Sequence, residues 1–160
     1  MIDTNNFMSK TGVRTFEAAA YLRRNGADVL RVRKLFRDDM EGYRAKTEAV
    51  KNVEVFKDAF AISLFEPQGV DSPTIIGAQA ANELLNIAGI KASFVLTDYA
   101  GKIYISARSI DEVNVQIIME RIGGGGHINM AGAQLENTTL LDARERLMDA
   151  IENMLEEGEI

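Results

Sequence analysis

The sequence is short of several things. It has 160 residues and no cysteine, which excludes disulfides and thiolate metal sites. It has a single histidine, His127, so a self-contained zinc centre lacks its nitrogen and sulfur ligands. No apolar run is long enough to span a bilayer and no signal peptide is visible, so the chain as it stands is expected to be cytoplasmic, with no membrane contact of its own. Basic residues are outnumbered, 18 against 24 acidic, for a net charge of −6. That balance argues against non-specific coating of nucleic acid, which depends on many cationic contacts to phosphate. Aromatics make up only 7% of the chain. There is no internal repeat and no low-complexity stretch. What remains is the composition of an ordinary soluble domain, 46% hydrophobic and 26% charged. A chain of this length can bury about two-thirds of its unfolded surface.

Glycine, by contrast, is concentrated. Gly123-Gly124-Gly125-Gly126 runs directly into His127. Glycine reaches positive φ at little steric cost, allows close approach to a ligand, and loses much entropy on folding. Two readings fit the run: a helix C-cap followed by a loop, or a backbone concavity that receives an anion.

Periodicity and punctuation give the order of elements. Thr15 to Arg24 reads as a helix, with Phe16, Ala19 and Ala20 on one side and Asn25-Gly26 as its stop. Asp28 is an N-cap for a longer helix to about Val50, whose apolar stripe is Val32, Leu35, Phe36, Met40 and Tyr43. Ala59 to Phe65 is a short buried strand. Pro73 opens a helix that runs to about Ile87 and stops near Gly89. Ser93–Thr97 and Lys102–Ser106, joined through Asp98 to Gly101, form a hairpin. Ser109 and Glu112 form a capping box for a helix over Val113–Ile122. Gly132 to Glu136 is a further strand, and Thr139 opens a last helix to about Glu156. The expected fold is α/β: a mixed sheet flanked by helices, with an N-terminal helical connector. The expected division is residues 1–27 as the end of a preceding structure, 28–51 as the connector helix, and 52–160 as a compact domain.

The candidate chemistry sits in four places. His127 could serve as a general acid, a phosphate contact or a metal ligand. Arg108, at the end of the hairpin, could fork onto a phosphate or carboxylate, or simply lie on the surface. Ser109 beside it reads as a cap rather than a nucleophile, because no partner base is marked. Asp3, with Thr4, Asn5 and Asn6, is either an Asx-rich turn or a ligand at the end of a strand.

Taken together these residues carry a resemblance. Ile105-Ser106-Ala107-Arg108-Ser109 followed by Gly123 to Gly132 resembles the substrate-binding domain associated with DHH phosphoesterases. Ile2 to Phe7, Thr11 to Phe16 and Asn25 to Asp28 are similar to the end of the catalytic domain in bacterial membrane-anchored cyclic-di-AMP phosphodiesterases. The resemblance implies hydrolysis of cyclic di-AMP to the linear dinucleotide pApA by a water activated on two manganese ions. It implies that Asp3 is the last metal-binding aspartate, and that the substrate, a cyclic dinucleotide or short nucleotide, is held by Arg108, Ser109, Gly123, Gly124, Gly125, Gly126 and His127. Arg14 and Thr15 would lie near the same cleft. The sequence departs from that family in having no Asp-His-His triplet, and it lacks the family's membrane helices, sensory domain and degenerate cyclase-like domain. The expectation is therefore a C-terminal fragment of a membrane-anchored parent that faces the cytoplasm. It would be inactive alone, would hold no tight manganese, and would leave open a homodimer. The alternative is a nucleic-acid-binding module like the glycine-rich C-terminal domain of alanyl-tRNA synthetases, against which the net charge counts.

Overall fold

The computed structural model describes residues 4, 7, 11–37, 39–110 and 112–158. The chain divides into two compact units, Met1–Asp38 and Asp39–Ile160.

The first unit contains α1 (Val13–Arg24) and α2 (Val29–Leu35). Asp28 caps α2 as expected, its carboxylate accepting from the Leu30 and Arg31 amides at 2.9 and 3.2 Å. Neither helix has a fully buried residue. Phe16 stacks on Phe7 with ring centroids 5.6 Å apart.

The long helix expected from Asp28 to Val50 is two helices. α2 ends at Leu35, and a second N-cap, Asp39, opens α3 (Met40–Lys51) by accepting from the Gly42 amide at 2.7 Å. The expected apolar stripe does not hold the junction together. Leu35 is 78%, Met40 64% and Tyr43 57% exposed, so no burial opposes the extended conformation that Asp39 adopts as a cap.

The second unit is a six-stranded mixed sheet in the order β1-β2-β3-β4-β6-β5. Its strands are β1 (Val53–Phe56), β2 (Phe60–Phe65), β3 (Ala92–Tyr99), β4 (Lys102–Ser109), β5 (Gly125–His127) and β6 (Met130–Glu136). Only β2 and β3 are parallel, joined by a crossover through α4 (Pro73–Leu84). The hairpin between β3 and β4 turns on Ala100 and Gly101, both at positive φ. The strand β1 is missing from the sequence-based reading, and β5 emerges from the glycine run. The N-cap of α5 (Val115–Arg121) is Asn114, whose side chain accepts from the Gln116 and Ile117 amides. It is not Ser109, which is the last residue of β4.

Side-chain alternation sorts the sheet into two faces. Phe60, Ile62, Phe94, Leu96, Ile103, Ile105, Ala107, Ala131, Ala133 and Leu135 point to one face, where α5 and α6 (Leu140–Glu156) bury them. Ala61, Phe65 and Val95 point to the other, against α3 and α4. Helix α4 comes close because Gly77 has no side chain; a Cβ there would collide with the Thr97 hydroxyl. Helix α4 reaches across β3 onto β4, and among the described residues no helix covers that face over β6 and β5.

Candidate functional site

The open part of that face is built by β6 and β5 alongside the half-buried residues of β4, and their registers align side chains into rows. Arg108 pairs with Met130, and Met130 with His127. The next row is Ser106, Gly132 and Gly125, and beyond it Tyr104 pairs with Gln134. Arg108 and His127 thus stand two strands apart, about 10 Å, on one side of the sheet. Between the outer rows lies a floor that carries no side chain at Gly132 and Gly125. Met130 is 55% exposed, and His127 and Gln134 are exposed as well.

The glycine run has several explanations rather than one. Gly123 closes α5 at φ +88, with its amide and that of Gly124 returning to the Glu120 and Met119 carbonyls. Gly124 and Gly126 lie so close to β6 that a Cβ on either would strike its backbone. Gly125 has nothing within 4 Å of where a Cβ would stand, so packing within the chain gives no reason for its missing side chain. The C-cap expected of the run is found at Gly123, and at Gly125 the backbone faces open space.

Arg108 is half-buried, and its Nε donates to Asn82 Oδ1 of α4 at 3.1 Å while Nη1 donates to the Ala107 carbonyl at 2.8 Å. Among the described residues no carboxylate pairs with it. Burial pulls its guanidinium below the ordinary arginine value, yet an arginine remains charged near neutrality. Two of its five N–H groups are used in these bonds, and a guanidinium can fork the others onto an anionic oxygen.

Ser109 is 7% exposed, and its hydroxyl donates to the Ile128 carbonyl at 3.3 Å. Its amide donates to the Asn129 carbonyl, and Asn129 Nδ2 returns a bond to the Ser109 carbonyl. The Val115 amide also donates to Ile128. The two-residue turn Ile128-Asn129, which joins β5 to β6, is thereby clamped, and with it the position of His127. Arg14 and Thr15 lie in the other unit, on α1. Asp3 lies outside the described residues. Among the described residues no group of three or more His, Cys, Asp or Glu could hold a metal ion, so their donor set does not fit a manganese pair. Ser106, Met130 and Gly132 entered the sequence reading only as parts of the segments that carry the resemblance, Tyr104 only as a hairpin strand residue and Asn82 only as part of the helix opened by Pro73; none was read as a site residue. The strict alternation in Lys102–Ser109 was the available signal for the strand residues.

The profile of the DHHA1 domain matches residues 60–157. The chain belongs to the DHHA1 domain family. Within it, the chain is 40% identical over 153 residues to the cyclic-di-AMP phosphodiesterase PdeA of Listeria monocytogenes, covering 95% of this chain and 23% of that protein. It is 41% identical over 159 residues to the cyclic-di-AMP phosphodiesterase GdpP of Geobacillus thermodenitrificans, covering 99% of this chain and 24% of the relative. The chain thus spans about a quarter of the length of these curated relatives. Among solved structures, an exopolyphosphatase-related protein from Bacteroides fragilis shares the fold with a TM-score of 0.86 at 23% identity, over 96% of this chain and 47% of that one. The DHHA1 match takes in β2 through α6, and so every row of the open sheet face.

Proposed function

We propose that the open sheet face is the substrate-binding surface of a metal-dependent phosphodiesterase that converts cyclic di-AMP to pApA. The observation that carries this reading is Arg108: a half-buried cation with no carboxylate partner among the described residues, in one row with His127 and beside the Gly132–Gly125 floor. Arg108 takes a phosphate through its free N–H groups. The bare backbone at Gly125 and Gly132 admits the nucleotide close to the sheet, and His127 contacts it from the far strand. The 40–41% identity to two cyclic-di-AMP phosphodiesterases supports that substrate. Hydrolysis by such an enzyme needs a metal-activated water. This chain's described residues supply no cluster for it, so its part is to bind and orient.

Calorimetric titration of cyclic di-AMP into the chain tests the reading. Binding is expected to be saturable and to weaken at least about tenfold, or ~1.4 kcal/mol, in Arg108→Ala. Equal binding by that variant would remove the assignment. No turnover is expected from the chain with manganese; robust hydrolysis would overturn the division of labour.

A further inference from the structure

Arg108 is held in a way that its charge alone does not require. Its Nε–H points at Asn82 Oδ1, 3.1 Å away. The accepting atom must be the amide oxygen, since a guanidinium only donates. Asn82 belongs to α4, and α4 is locked to the sheet one residue earlier. The buried hydroxyl of Ser93 donates to the Ala81 carbonyl at 2.6 Å. Ser93 is in turn the cross-strand partner of Arg108. One row of the sheet therefore sets both the arginine and the helix residue that meets it. The Ala107 carbonyl takes a second N–H at 2.8 Å. Both acceptors are neutral.

We propose that Asn82 is a positioning residue, which aims the Arg108 guanidinium across the open face through a neutral acceptor. A carboxylate at this position would hold the same N–H more strongly. It would also cancel the charge that an anionic ligand needs. The amide fixes direction and leaves the charge free. Two oxygens hold two of the five N–H groups, and three remain for a phosphate. This inference rests on the substrate-binding reading of the same face.

The test pairs a ligand-free signal with a binding series. In the free protein, the Arg108 Nε–H resonance is expected to be resolved and slow to exchange, and to lose that protection in Asn82→Ala. Cyclic di-AMP is then titrated into the unsubstituted chain and into Asn82→Ala, Asn82→Asp and Arg108→Ala. Asn82→Asp is expected to bind at least about tenfold more weakly, the effect of one hydrogen bond to a charged group, while its melting temperature does not fall. Asn82→Ala is expected to bind more weakly than the unsubstituted chain. A purely structural asparagine predicts the opposite for Asn82→Asp, a stronger tether with binding unchanged or tighter. If Arg108→Ala loses binding while both Asn82 variants bind normally, the role of Asn82 is refuted and the substrate-binding reading stands. If Arg108→Ala binds normally, or the unsubstituted chain does not bind, the reading fails and takes this inference with it.

Discussion

Gly124 and Gly125 are adjacent and chemically identical, yet they answer to different constraints. A Cβ on Gly124 would collide with the Gly132 carbonyl and the Ala133 backbone, whereas one on Gly125 would meet open space. Gly124→Ala is therefore expected to lower stability by about 1–3 kcal/mol, the usual range for overpacking, with a falling melting temperature. Gly125→Ala is expected to leave the melting temperature nearly unchanged and to weaken cyclic di-AMP binding by raising the floor beside Arg108. Thermal denaturation of the two variants, with titration of the second, separates the roles; equal destabilisation would refute the distinction. The sequence announced the run as a unit but not this division, because steric need is set by β6, which the sequence brings alongside only through folding. Arg108 and His127 were legible as single residues. Their placement in one row depends on Met130 pairing with both, a register that no local pattern displays.

At the scale of elements, strong local signals translated directly. Pro73 and Thr139 opened helices where expected, and the hairpin turned at Ala100-Gly101. One miss lay at a helix cap. Ser109 was the cap expected for α5, and burial removes it from that role. Ser109 is drawn into β4 and spends its hydroxyl on Ile128, leaving the cap to Asn114. Asn114→Ala is expected to cost about 1 kcal/mol through the lost cap, read from denaturant unfolding, while a neutral result would return the role to another residue. Exposed charge pairs between strands carry a pH signature. Lys102 and Glu136, cross-strand neighbours at the far end of β4 and β6, lie 2.7 Å apart. The hydrogen bond and charge of Lys102 hold the Glu136 carboxyl below the usual carboxylate range. The pair's contribution is thus present above that range and is lost as pH falls through the depressed folded value. Carbon-detected NMR titration of Glu136 is expected to show the low midpoint in the native chain and its return towards normal in Lys102→Ala; an unchanged midpoint would refute the pairing.

The two units of the whole molecule differ in charge and in burial. Residues 1–38 carry eight basic and four acidic side chains, whereas residues 39–160 carry ten and twenty. An acidic second unit is poorly suited to a polyanion, which favours a small nucleotide held at the local cation Arg108 over extended nucleic acid. Both buried clusters lie within residues 49–154, and no helix of the first unit has a buried residue. Among the described residues, hydrophobic burial is therefore concentrated in the second unit. Every row of the open face, with Asn82 beside it, is contained there too. A chain of residues 39–160 is accordingly expected to unfold cooperatively, with a melting temperature within about 4 °C of the full chain, the shift that ~1 kcal/mol produces at this size. It is also expected to keep its affinity for cyclic di-AMP. Calorimetric unfolding and titration of the two chains side by side provide the check. A collapse of cooperativity would show that the first unit stabilises the second. Retained folding with lost binding would show instead that residues 1–38 supply ligand contacts of their own.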